Sequence, residues 1–266
     1  MSDTTRRTAF LHEMGLGPIW QQRHPASVAY AETPVTALPD EPVLAPVASG
    51  PVLESLAETA FAMADAAGDR EATIAGMDWD ALQSAVSGCT SCNLCTTRTK
   101  TVFGVGDRKA RWMFIGEGPG RNEDQQGMPF VGPAGKLLDN MMVAMGLKRG
   151  ENTYIANIVK CRPTDANKRD RPPEADESGA CMPYLQRQIA LIRPTVIVAL
   201  GKTAALSLLQ LDPSTPVSRL RGKVYRHGDI PLIVTYHPAY LLRNLPDKSK
   251  AWADLCLAMQ AYEGAS

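Results

Sequence analysis

Apolar positions gather into four short runs in the second half of the chain: Arg111–Gly116 (RWMFIG), Thr153–Val159 (TYIANIV), Thr195–Leu200 (TVIVAL) and Pro231–Tyr236 (PLIVTY). Runs of this length without an alternating polar face predict strands buried on both sides of a sheet. Between them the spacing turns helical. Leu137, Leu138, Met141, Met142 and Met145 share a face within Ala134–Leu147, and Glu174–Ile192 and Lys202–Leu209 supply two more helices. A last helix carries Trp252, Leu255, Cys256 and Met259 together. Upstream, Asp78 reads as the N-cap of a helix that aligns Trp79, Leu82 and Val86 and stops at Gly88. Strand–helix alternation predicts an α/β fold with a parallel sheet and helices on both faces. Ligands of such sheets sit beyond the carboxyl ends of the strands.

Composition divides the chain further. Residues 1–24 hold a small apolar cluster (Phe10, Leu11, Met14, Ile19, Trp20), and residues 25–52 carry six of the twenty prolines. Proline removes the N–H that regular structure needs, so this stretch reads as an extended linker. Residues 53–88 read as a helical leader, and residues 89–266 as the main domain. The N-terminal segment is expected to dock on a protein partner or fold back on the body.

The formal net charge is zero, but residues 1–88 balance to −8 and residues 89–266 to +8. A basic body behind an acidic leader points to an anionic partner for the body. No stretch approaches the ~20 apolar residues of a membrane helix, and the polar N-terminus lacks a secretion-signal core. A cytoplasmic, nucleoid-associated protein without membrane contact is expected.

Six cysteines occur, at 89, 92, 95, 161, 181 and 256. Cys89-x-x-Cys92 follows a helix, Cys161 follows the second strand, and Cys181 lies in the helix after it. Two such pairs can close a four-thiolate site for zinc or an iron–sulfur cluster. Cys256, on an apolar helix face, reads as a small core residue.

The strand ends carry the remaining chemistry. Gly116-Glu117-Gly118-Pro119-Gly120 leads into Arg121-Asn122-Glu123-Asp124, a glycine-rich loop with three acids. Gly201-Lys202-Thr203 mimics the end of a phosphate loop, but Val196 stands where that loop needs its first glycine. Nucleoside triphosphate binding is therefore excluded. Asn157 interrupts an apolar strand, where a side-chain amide needs partners or costs stability. Phe130 sits on a glycine-flanked loop, and His237 follows the last strand.

Together the motifs CTSCNLC, GEGPGRNED, GMPFVGPAG, IANIVKCRP, the later Cys181 and HPAYLLR resemble a family 4 uracil-DNA glycosylase. The resemblance runs from about Cys89 to Tyr262. It implies a three-layer α/β/α sandwich with a central, mostly parallel four-stranded sheet. It also implies hydrolysis of the N-glycosidic bond of deoxyuridine in DNA by a monomer, with release of uracil for base excision repair. By position, Cys89, Cys92, Cys161 and Cys181 would hold a [4Fe-4S] cluster, leaving Cys95 and Cys256 spare. Phe130 would stack on the extruded uracil, Asn157 would read its Watson–Crick edge, and Gly116, Glu117 and Gly118 would line the pocket. His237 would face uracil O2, Leu241 would wedge the duplex, and Arg243 would contact phosphate. Lys160, Arg162 and the basic Pro163–Pro173 loop would meet further phosphates.

Other branches carry Asp or Asn at the position of Gly118 to orient the attacking water. A glycine cannot. Glu117, also the expected wall against the thymine methyl, is the first candidate for that task and Glu123 the second. A related covalent branch uses Gln at 118 and a histidine in the basic loop; neither is present, so turnover is expected. The competing reading is a catalytically silent iron–sulfur DNA-binding module with a partner-docking N-terminal arm.

Overall fold

The computed structural model describes residues 69–265 together with Glu13. The expected elements over 1–24 and 25–52, and residues 53–68 of the 53–88 leader, lie outside the described residues. The chain divides into two packing units, residues 1–17 with 73–266 and residues 18–72. The described part of the larger unit is the α/β body.

Its sheet has six strands: β1 (Val105–Gly106), β2 (Trp112–Gly116), β3 (Thr153–Asn157), β4 (Val196–Leu200), β5 (Val224–His227) and β6 (Ile230–Thr235), in the order β1-β3-β2-β4-β6-β5. The four expected strands form its parallel centre, β3-β2-β4-β6. The expected count of four falls short because β1 and β5 add antiparallel edges. β1 is two residues long and β5 is half exposed, so neither carries the apolar run that marks a central strand.

Every residue of β2, β3 and β4 is buried. Successive side chains leave a strand on opposite faces, which builds two cores. Met113, Ile115, Tyr154, Ala156, Ile197 and Ala199 pack on one side. There they meet helices α1 (Trp79–Ser87), α4 (Ala175–Ile192) and α5 (Lys202–Leu209). Trp112, Phe114, Ile155, Val196 and Val198 pack on the other. Here the cover is α3 (Pro133–Ala144) and α8 (Lys248–Ala265). The three-layer expectation holds.

Three short helices also form: α2 (Arg121–Gln126), α6 (Val217–Leu220) and α7 (Pro238–Leu241). The GRNED stretch, read as loop, is thus partly helical, with Gly120 as its N-cap and Gly127 closing it at φ 77°. At α1, the Ala81 amide donates to the Asp78 carboxylate at 2.9 Å, as its sequence predicts.

The expected boundary after residue 88 does not separate two packing units. Leu82 and Val86 of α1 are buried in the core, as is Ile74. Trp79 meets Phe103 and Tyr154 edge-on, and Arg187 Nε donates to the Met77 carbonyl at 2.6 Å. The end of the leader is part of the body because its apolar face covers one side of the sheet.

Among the described residues, no helix is long and apolar enough to cross a membrane.

Candidate active site and cysteine cluster

The parallel register brings the carboxyl ends of the central strands level: Gly116 pairs with Asn157, and Leu200 with Thr235. Beyond them opens a cleft of about 570 Å³, lined by residues of the Glu117–Glu123 segment, Phe130, Asn157, the Pro163–Pro172 loop, His237 and Arg243. Sequence-distant motifs meet here because strand ends do.

Asn157 is 1% exposed, and its Oδ1 has no hydrogen-bond partner. A buried amide oxygen without a protein partner at a cleft is expensive unless a bound water or ligand donates to it. A Cβ at Gly116 would lie 2.6 Å from that Oδ1 and 2.6 Å from Phe130 Cζ, so only glycine lets amide and ring share the floor.

Phe130 adopts φ 54°, a left-handed conformation that costs a non-glycine residue about 1–2 kcal/mol. Arg149 holds it there: Nη1 donates to the Pro129 carbonyl at 3.2 Å and Nη2 to the Phe130 carbonyl at 3.0 Å. Asp139 in turn accepts from Arg149 Nε at 2.7 Å. The Phe130 ring lies 5.6 Å from the His237 imidazole, inclined by 30°. No sequence spacing signals Arg149, which acts from 19 residues away.

His237 caps α7, and its Nδ1 accepts from the Ala239 amide at 3.1 Å. An Nδ1 that accepts fixes the neutral imidazole with its proton on Nε2. Burial, reinforced by the Arg243 charge, lowers its pKa to about 4. At neutral pH the cleft therefore holds an uncharged donor.

The carboxylates divide. Glu117 accepts from Thr203 Oγ1 through Oε2 at 2.5 Å, and burial raises its pKa against that hydrogen bond. Glu123 commits Oε1 to the amides of Val131 and Gly132, at 2.9 and 3.0 Å, and so braces the Phe130 loop. Asp124 is buried and binds the Thr99 and Lys100 amides, tying α2 to the cysteine segment. A Cβ at Gly118 would lie 2.8 Å from Val159 Cγ2, so a larger residue needs Val159 to move.

Two expected DNA contacts are corrected. Leu241 is fully buried in the core under α7, so it cannot enter a duplex; its neighbour Leu242 is 42% exposed. Helical geometry turns adjacent residues about 100° apart, and the apolar pair offered no way to tell them apart. Lys160 is 1% exposed, and Nζ donates to the Asn157 carbonyl at 2.9 Å and to Gln188 Oε1 at 2.7 Å. It supports the cleft floor rather than a phosphate. Arg171 is engaged bidentately by Glu177, and Arg162 donates through Nε alone to Asp170 Oδ1 at 2.6 Å. Arg243 does line the cleft.

On the far side of Lys160, Cys89, Cys92, Cys161 and Cys181 line one small cavity with Arg98 and Tyr184. Cys256 lies against the opposite core. Among the described residues, no three His, Cys, Asp or Glu side chains converge on a single metal ion. Arg98 Nη1 donates to Cys161 Sγ at 3.2 Å and to the Cys89 carbonyl at 2.7 Å, and the Lys160 amide donates to Cys181 Sγ at 3.3 Å. Burial pushes the Cys92 and Cys161 thiols up, and Cys181 to about 12.

An α/β sandwich with an aromatic, an amide and a neutral histidine beyond its strand ends has the architecture of a base-excising enzyme, and residues 103–256 match the family model of the uracil DNA glycosylase superfamily. The chain belongs to that superfamily. It is 47% identical over 170 residues to the type-4 uracil-DNA glycosylase of Archaeoglobus fulgidus, covering 61% of this chain and 82% of that protein. With the type-4 uracil-DNA glycosylase of Thermotoga maritima it shares 44% identity over 160 residues, 60% of this chain and 80% of that one. A type-5 uracil-DNA glycosylase of Pyrobaculum aerophilum is 28% identical over 153 residues, 52% of this chain and 66% of its own length.

Proposed function

We propose that this protein excises uracil from DNA, hydrolysing the N-glycosidic bond of deoxyuridine to leave an abasic site for repair. The observation that carries the reading is the orphaned Asn157 Oδ1, which lines one cleft with Phe130 and the neutral His237. Its amide matches one edge of an extruded pyrimidine, and an acceptor aimed at uracil N3–H discriminates against cytosine, which has no hydrogen there.

The target bond lies within the duplex, so the nucleotide is flipped at a cost of a few kcal/mol. The +8 body offsets part of this through phosphate contacts, with Arg243 at the cleft and the exposed Leu242 filling the vacated stack. Phe130 receives the base on its face. As C1′–N1 breaks, its electron pair passes to uracil, and His237 Nε2–H donates to O2 where that charge develops. A water adds to the electron-poor C1′ and gives its proton to Glu117, whose Oε1 remains when Thr203 holds Oε2.

We assign the four-cysteine cavity to a [4Fe-4S] cluster. The thiols surround a volume instead of meeting at a point, which suits four iron corners better than one tetrahedral zinc. Arg98 and the Lys160 amide point donors at sulfur, as anionic thiolates require. When bound, the cluster supplies covalent ties between the segment before β1 and the Cys161–Cys181 loop.

Incubation with a uracil-containing oligonucleotide, followed by alkali, tests the function: strand scission at the uracil position is expected. DNA retention without abasic sites would favour the silent binding module.

A further inference from the structure

The turn after β4 enters the chemistry described so far only through the Thr203–Glu117 hydrogen bond, although its whole Gly201-Lys202-Thr203 motif stands out in the sequence. It reaches toward both reacting ends of the cleft, His237 and Glu117. Gly201 adopts φ 94°, and a Cβ there would lie 2.9 Å from His237 Cβ. Any larger residue would therefore push His237 from its place. Two residues later, Thr203 Oγ1 donates to Glu117 Oε2 at 2.5 Å across 86 residues of chain.

We infer that Thr203 is a positioning residue for uracil excision: its hydroxyl orients the Glu117 carboxylate, the group that receives the water's proton, by donating to one of its two oxygens. This rests on the reading of Glu117 as that group. A hydroxyl has one proton to donate, and here it goes to a single carboxylate oxygen. That choice fixes the plane of the group and leaves Oε1 for water. Burial favours the protonated acid, and the Thr203 hydrogen bond favours the anion, so the two oppose each other at Glu117. The ionisable groups on the surrounding elements are Lys202 of α5, Arg121 and Glu123 of α2, Asp170 and Arg171 of the basic loop, and His237 and Arg243 at α7. Against burial, the Thr203 hydroxyl supplies the hydrogen bond that favours the anion.

The sign follows. The rate rises with pH as Glu117 ionises. Removing a donor to the anion raises the Glu117 pKa, so the acid limb moves to higher pH. A hydrogen bond to a charged group corresponds to a shift of about one pH unit.

The test is single-turnover excision across pH 5–9 with full-length, cluster-loaded protein. Thr203→Val is expected to move the acid limb up by about one unit while the high-pH plateau stays within a few-fold, and Thr203→Ser to restore the parent profile. If Thr203→Val lowers the melting temperature, Thr203→Cys, a weak donor of similar size, carries the same expected upward shift. An unmoved limb in a folded variant, a pH-independent loss, or failure of Thr203→Ser to rescue would overturn the inference. Glu117→Gln separates the two levels: full rate and an intact limb in that variant would overturn the role of Glu117 itself. A dead Glu117→Gln beside an unshifted Thr203→Val would overturn only the role of Thr203.

Discussion

Arg149 donates from Nη2 to the Phe130 carbonyl at 3.0 Å and thereby holds a non-glycine residue at φ 54°. The ring that would receive uracil is thus placed by a residue that never touches the base. Helix α3 presses from the other side, since a Cβ at Gly135 would lie 1.8 Å from the same carbonyl oxygen. Arg149→Ala is expected to release about 1–3 kcal/mol of positioning, seen as a roughly tenfold weaker inhibition by free uracil and a raised KM. Arg149→Lys, which cannot reach both carbonyls and Asp139 as a planar fork, should recover little. Unchanged uracil inhibition in Arg149→Ala would show that packing alone sets the ring.

Two adjacent leucines should separate stability from DNA distortion. Leu241 is fully buried, so Leu241→Ala is expected to cost about 2–5 kcal/mol of stability. Leu242 is 42% exposed, and Leu242→Ala should leave stability within about 0.5 kcal/mol. Its defect should instead fall on double-stranded substrate more than on single-stranded, where no stack has to be opened. Thermal melts and paired-substrate kinetics check both, and equal defects on the two substrates would remove the wedge.

His237→Ala should slow the chemical step more than it weakens substrate binding. A donor directed at developing charge is worth about 2.7–4 kcal/mol in comparable sites, and single-turnover rates set beside equilibrium binding would reveal the split. The acid behaviour has a definite sign. With a folded pKa near 4 against an ordinary 6.5, His237 binds fewer protons in the native state than in the unfolded one across that interval. Native stability therefore falls as pH drops from 6.5 to 4. His237→Gln should lose less stability over the same window, measured by denaturant titration at each pH.

Iron content should follow the cysteine geometry. Ala substitution at Cys89, Cys92, Cys161 or Cys181 is expected to abolish or deplete iron and sulfide per protein, while Cys256→Ala keeps both. Cys95 is not among the residues that line the cavity, so Cys95→Ala should keep them as well. Stoichiometric zinc in natively purified protein would refute the cluster.

The four central strands and the main helices were legible along the chain, because burial on both faces leaves continuous apolar runs and helical cores recur at 3.6 residues. Asn157 was legible as an amide that an apolar strand would not otherwise tolerate. Edge strands β1 and β5 were not, being short or half exposed. Nor was the burial of Lys160, since a lysine in a polar stretch reads as solvent-facing until Gln188 and the Asn157 carbonyl are brought to it.

What the sequence determines by itself is therefore local and chemical: which segments can be strands, where glycine is needed, and which residue types a uracil-excising site would use. Tertiary structure alone decides which of two neighbouring leucines faces solvent and which carboxylate is already taken. It also decides that Thr203 and Arg149 serve residues 86 and 19 positions away. The reason is physical. Periodicity reports a face averaged over several residues, whereas hydrogen-bond partners and single-residue burial depend on how strand ends and helix termini converge, and no local pattern encodes that convergence.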